Sequence, residues 1–138
     1  MGWNMEQFAA NLQNHPDYNK RIFHLSGLDD KSVNYLYQHA KFLAFCSYTE
    51  GFGLPLIEAI RRGTPVIASD IPVLREVAGE YCIWFEQDNA NELCARVREY
   101  TENEDMYHNC RDRLASYVGH GWEEVTAKME KIVGIVNK

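Results

Sequence analysis

The sequence predicts an α/β fold built on a parallel sheet. Two observations carry this. Short extended runs alternate with helical stripes along the chain, the order that builds strand–helix units. Those runs are also apolar throughout rather than at every second residue, as expected of strands covered on both faces. With 138 residues, 46% hydrophobic and 25% charged, the chain is long enough for one domain with its own core and sits near the average composition of soluble domains.

Met5, Phe8, Ala9 and Leu12 share one face of a first helix, which Pro16 closes. Arg21-Ile-Phe-His-Leu25 reads as a short strand ending at Ser26-Gly27. Val33, Leu36, Tyr37 and Ala40 mark a second helix, with Asp29 or Asp30 as its N-cap. Phe42-Leu-Ala-Phe-Cys46 reads as a buried strand. A loop over Thr49–Gly53 leads into a helix from about Pro55 to Arg62, since Pro suits a first helical turn and Gly63 a stop. Pro65–Ser69 is another buried strand, Asp70-Ile-Pro72 turns into a short helix ending near Gly79, and Cys82–Phe85 is the last strand. Leu93, Val97 and Tyr100 mark one further helix, and Met106, Cys110 and Leu114 another. Gly119-His-Gly121 is a break before a final stripe of Trp122, Val125, Met129, Ile132, Val133 and Val136.

Net charge is −6, which argues against a nucleic-acid partner, since phosphate neutralisation needs Lys and Arg. Local sites can still oppose the global sign. Cys46, Cys82, Cys94 and Cys110 show no CxxC spacing and no His pair at zinc-ligand spacing. Buried, reduced thiols in a cytoplasmic protein are the expectation. No apolar run reaches the ~20 residues of a membrane span. The opening Met1-Gly-Trp-Asn-Met-Glu lacks the basic stretch and apolar run of a secretory leader.

The segment with chemical content is Glu50-Gly-Phe-Gly-Leu-Pro-Leu-Ile-Glu58. It lies between an expected strand and helix, at the carboxyl edge of the sheet where parallel α/β folds bind ligands. Gly51 and Gly53 permit unusual dihedrals and close backbone approach. The helix that follows has unpaired amides and a positive dipole end, a ready anion site. Glu50 can point across the mouth of that site, and Glu58 lies about one turn into the helix. Ionised carboxylates accept strongly from sugar or ribose hydroxyls. The same Gly-x-Gly spacing also occurs as plain turn chemistry, and two Glu eight residues apart arise by chance.

The wider stretch Ser47-Tyr-Thr-Glu50-Gly51-Phe52-Gly53-Leu54-Pro55-Leu-Ile-Glu58-Ala59, followed by Gly63-Thr-Pro65-Val66 and Ala68-Ser69-Asp70-Ile-Pro72-Val-Leu-Arg75-Glu76-Val77-Ala-Gly79, resembles the C-terminal domain of GT-B glycosyltransferases, family 4 (group 1) in particular. Gly27-Leu-Asp-Asp30, Leu36-Tyr37 and Trp122 also fit. The resemblance covers nearly the whole chain. Cys46 departs from it, where a Pro commonly precedes the Ser.

The resemblance implies a truncated Rossmann-like parallel sheet of about four strands flanked by helices, 1–138 being a single partial donor-binding domain without its N-terminal acceptor domain. It implies transfer of a hexose from a nucleotide diphosphate sugar (UDP- or GDP-linked), with retention, to a glycan or lipid-linked acceptor. Surface-polysaccharide synthesis and mannosyl transfer suit the motif region. Glu50 would be the catalytic-site residue against the donor sugar. Phe52, Gly53 and Leu54 would offer backbone amides, Glu58 would hold the ribose hydroxyls, and Leu28 would lie by the nucleobase. No cofactor and no metal are expected. The enzyme would work in the cytoplasm, at the inner face of the membrane.

The family's diphosphate-neutralising basic pair has no match here. Arg61 and Arg62 fall after the motif and read as a solvated helix face. A chain of this extent is expected to be unable to transfer sugar alone, and to serve otherwise as an inactive nucleotide-sugar-binding or structural piece. In the order 3-2-1-4-5-6, it supplies candidates for strand 3 (21–25), 4 (42–46), 5 (65–69) and 6 (82–85). Strand 3 would then pair directly with 4, or an open edge would invite a homodimer.

Overall fold

A computed structural model describes residues 6–118 together with Glu130 and Gly134. The expected break at Gly119–Gly121 and the apolar stripe of Trp122, Val125, Met129, Ile132, Val133 and Val136 lie outside the described residues, as does Met5. The chain divides into two compact units, Met1–Val33 and Asn34–Lys138, and each is described by itself.

In the first unit, α1 (Glu6–Gln13) has no buried residue. Within its apolar stripe Ala9 and Leu12 are half-buried and Phe8 is 57% exposed. The stretch after it is a series of tight turns. Asn19 takes a left-handed φ of 58°, and an isolated bridge joins Tyr18 to Ile22. The strand expected at Arg21–Leu25 therefore does not form. A strand needs a neighbour for its amides and carbonyls, and the described residues of this unit offer none beyond that bridge. Phe23 and Leu25 are exposed; their apolar character is not a sign of burial. α2 (Asp30–His39) begins here. Asp29 is its cap, accepting from the Ser32 amide at 2.8 Å. The Ser32 hydrogen bonds hold the Asp29 carboxyl below its usual pKa.

The second unit holds the sheet. Its strands β1 (Leu43–Phe45), β2 (Val66–Ser69) and β3 (Ile83–Phe85) are parallel and ordered β1-β2-β3. Leu43 pairs with Val66 and Ile67 with Ile83. The described sheet thus has three strands rather than about four. Helices α3 (Leu54–Arg61), α4 (Pro72–Ala78), α5 (Ala90–Glu102) and α6 (Glu104–Ala115) connect and flank them, with a 3-10 turn at Gly79–Tyr81.

Period-two alternation divides the core. Val66 and Ala68 face α3 and α4, packing with Leu56, Ile60 and Leu74. Ile67, Ile83 and Phe85 face the other way, against Cys110, Leu93 and Tyr100. β2 is buried at every position, as its apolar run requires. β1 is not: Ala44 is exposed although its partner Ile67 is fully buried, and β1 has β2 as its one partner among the described residues. Burying each side chain such as Leu56 or Ile60 contributes about 1.5–3 kcal/mol. Asn89 and Asn103 cap α5 and α6, accepting from the amides of Glu92 and Met106 at 3.0 Å each.

All four thiols are free. Cys82 and Cys110 are buried, while Cys46 and Cys94 are exposed. Cys46 sits past the end of β1, so its place in an apolar run does not bury it.

Candidate functional site

β1 ends at Phe45, and the loop that leaves its carboxyl end reaches Gly53. Gly53 is the N-cap of α3, with φ 79° and ψ 47°. An L residue pays to adopt that left-handed conformation. A Cβ there would also stand 2.6 Å from Leu74 Cδ2, so glycine is required twice over. Gly51 differs. Its φ is not in the left-handed region, and a Cβ on it would meet nothing within 4 Å. The loop's special dihedral belongs to Gly53 alone.

No side chain caps α3. Leu56 and Ile57 both donate to the Gly53 carbonyl, at 3.1 and 3.3 Å, and Pro55 has no amide. The amides nearest the loop, those of Gly53 and Leu54, are the ones this helix end can turn toward a ligand. Phe52 and Leu54 are exposed, at 52% and 62%. The motif forms an open shelf rather than a closed cleft.

The two carboxylates have different surroundings. Glu50 is half-buried, and one oxygen accepts from Ser47 Oγ at 2.7 Å. That local bond orients the carboxylate and leaves its second oxygen to other donors. Glu58 is exposed on α3, beside Tyr37. Burial first, and the Glu58 carboxylate second, push the Tyr37 phenol above its ordinary pKa.

Arg62 is no solvated helix face, contrary to expectation. It is half-buried. Its Nε donates to Asn34 Oδ1, its Nη1 donates to the Glu58 carbonyl at 2.9 Å, and its guanidinium lies 5.4 Å from the Tyr37 ring centroid. It locks α3 to the C-terminal half of α2. Arg61 is exposed, as expected.

Glu50, Phe52, Gly53, Leu54 and Glu58 therefore come together on one loop and the first turns of one helix. Leu28 belongs to the first unit, between Gly27 (φ 66°) and the cap Asp29, and is 40% exposed.

Further residues attend the loop. Gln87 Nε2 donates to the Tyr48 carbonyl at 3.0 Å, and Tyr48 Oη donates to Asp88 Oδ1. The Ser47–Glu50 bond was not among the expectations, although the two residues stand three apart within the motif. Nothing in the sequence ties Tyr48 to a turn 40 residues away. Past the ends of β2 and β3 lies a polar cavity of about 490 Å³, lined by Asp70, Arg75, Trp84, Gln87, Glu92 and Arg96 among others. Asp70 and Arg75 pair through two 2.6 Å hydrogen bonds, with Arg75 4.4 Å from the Trp84 ring centroid. Among the described residues no three His, Cys, Asp or Glu side chains gather to hold a metal ion. No helix among them is long and apolar enough to cross a membrane.

The arrangement has clear relatives. Serotype-specific mannosyltransferase WbdA of Escherichia coli is 39% identical over 99 residues, covering 72% of this chain and 12% of that protein. O-antigen chain mannosyltransferase B of Escherichia coli is 29% identical over 108 residues, 78% of this chain and 28% of that protein. O-antigen chain mannosyltransferase RfbU of Salmonella typhimurium is 30% identical over 97 residues, 70% of this chain and 28% of that protein. The chain thus spans between about an eighth and a little over a quarter of these relatives' lengths. Among solved structures, sucrose-phosphate synthase from Thermosynechococcus elongatus matches with a TM-score of 0.71 at 24% identity, over 96% of this chain and 33% of that one, a likeness of fold. The family model of the glycosyl transferases group 1 matches residues 1–116. This chain belongs to that family.

Proposed function

We propose that the chain is the donor-binding part of a retaining hexosyltransferase of family 4 type, which takes a nucleotide diphosphate sugar and passes the hexose to a glycan or lipid-linked acceptor. Mannose is the sugar its relatives' names favour, and surface-polysaccharide synthesis on the cytoplasmic side of the membrane is the setting. The observation that supports the reading best is the uncapped N-terminus of α3 following a loop in which Ser47 holds the Glu50 carboxylate. A diphosphate would meet the Gly53 and Leu54 amides and the dipole end of α3. Glu58 would take vicinal ribose hydroxyls, and Glu50, oriented by Ser47, would take hydroxyls of the sugar. Phe52 would lie against the donor, and Leu28 would serve the nucleobase. The donor is held without a metal ion. The exposed shelf needs a second wall, which in the complete enzyme would carry the acceptor and the remaining catalytic groups.

Calorimetry with GDP, GDP-mannose, UDP and UDP-glucose, with and without EDTA, tests this. Glu58→Gln should weaken nucleotide and nucleotide sugar alike. Glu50→Gln should weaken the nucleotide sugar and spare the nucleotide. If no nucleotide or nucleotide sugar binds below millimolar concentration, the donor-site reading is wrong. Sugar transfer by this chain alone at ordinary enzyme rates would contradict the need for a second wall.

A further inference from the structure

The motif loop is not held by its own residues alone. Between Ser47, which grips Glu50, and the glycines stands Tyr48, and Tyr48 is held at two points by a turn that is distant in sequence. Gln87 Nε2 donates to its backbone carbonyl at 3.0 Å, and its own hydroxyl donates to the Asp88 carboxylate. The first contact fixes the backbone of the loop, and the second fixes the side chain.

That turn, 86–89 between β3 and α5, is itself stiff. The Glu86 amide donates to Glu92 Oε2 at 2.7 Å, and the Asn89 amide donates to the Glu86 carbonyl at 3.0 Å. Asn89 Nδ2 donates to Glu86 Oε2 at 2.9 Å while Asn89 Oδ1 caps the helix. Arg96 braces Glu92 from one turn further along α5, at 3.1 Å. Asp88 sits within this frame at φ 65°. Left-handed backbone at a residue other than glycine persists where surrounding contacts over-determine it, and Asp and Asn tolerate it best.

We infer that the 86–89 turn is a buttress for the donor site, with Gln87, Asp88 and Tyr48 acting as positioning residues that set the Glu50 carboxylate through the Ser47–Glu50 bond. The inference rests on the donor-site reading above for what Glu50 touches, but not for the buttress itself. Its reach is selective. It acts on the loop that carries Glu50, and α3, which carries Glu58, is fixed separately by Gly53, Leu74 and Arg62.

Two measurements on the whole chain test it. The first needs no ligand: amide hydrogen exchange across 47–53. Tyr48→Phe and Gln87→Ala should each speed exchange there several-fold and leave β2 amides unchanged. Asp88→Asn, which keeps an acceptor and tolerates the backbone, should behave as wild type. Unchanged exchange in both variants overturns the buttress. The second is calorimetry with GDP and GDP-mannose. Tyr48→Phe should weaken GDP-mannose about fivefold, the effect of one lost hydrogen bond, and leave GDP unchanged. In a Glu50→Gln background the same change should add nothing. An equal loss for GDP, or full additivity with Glu50→Gln, refutes action through Glu50. A wild-type chain that binds neither ligand counts against the donor-site reading, and the exchange experiment then decides the buttress.

Discussion

Leu74 Cδ2 occupies the space where a side chain on Gly53 would begin, 2.6 Å from an ideal Cβ. Leu74 is fully buried on α4, so it cannot swing aside into solvent. Gly53→Ala should therefore destabilise the chain by about 2–4 kcal/mol, the sum of a left-handed backbone cost and an overpacked core contact. A shift of the urea midpoint at unchanged m-value is the expected result. A midpoint within error of wild type would show that Leu74 is not fixed there.

Gly51, two residues away, has neither constraint. An Ala Cβ meets open space and the backbone is not left-handed. Gly51→Ala should leave stability within about 0.5 kcal/mol. On the donor-site reading it should still weaken GDP-mannose binding, because a methyl would stand where the ligand approaches the loop. Together the two glycine variants separate a residue the fold needs from one the ligand needs. Wild-type GDP-mannose affinity in Gly51→Ala would remove Gly51 from the site.

The sheet and the motif shelf were legible for physical reasons. Pro65–Ser69 is apolar because β2 is buried on both faces, and Gly53 before Leu54-Pro55 announces a strand-to-helix turn with a free helix end. Two features misled. Ile22, Phe23 and Leu25 have strand-like side chains but, among the described residues, no strand neighbour beyond the Tyr18–Ile22 bridge, and periodicity records side chains, not available partners. Arg62 reads as a surface charge because a sequence does not show that Asn34, Tyr37 and the Glu58 carbonyl converge on it. The Tyr48–Asp88 contact spans 40 residues and follows only from the strand order.

Arg62 should not tolerate its nearest substitute. Its guanidinium lies near the face of the Tyr37 ring while two of its nitrogens donate in different directions. A lysine ammonium is a single point charge that cannot reproduce both contacts. Arg62→Lys should cost about 1–2 kcal/mol, close to the cost of Arg62→Ala. Recovery of more than half of the stability lost in Arg62→Ala would mean that charge alone matters at this site. Because Arg62 braces Tyr37 next to Glu58, both variants should also weaken GDP binding.

The buried thiol at Cys82 makes a pH prediction with a definite sign. Burial pushes its pKa up from an ordinary 9.0 to about 12, so between those values the folded chain keeps a proton that the unfolded chain has released. Protons bound preferentially by the folded state make stability fall as pH rises. The Cys82 contribution is thus fully present below about pH 9 and is lost progressively toward pH 12, by about 1 kcal/mol at pH 10. Tyr37, Tyr100 and Tyr117 are also raised, each by burial first, and so act in the same direction. Cys82→Ala isolates the thiol. The variant should be less stable at pH 7.5 because a buried group is lost, and its deficit should shrink by pH 10. A deficit that stays constant across that range would mean the Cys82 thiol titrates alike in both states. Thiol-reagent labelling gives an independent check. Cys46 and Cys94 should react in the native chain, and Cys82 and Cys110 should react only after unfolding.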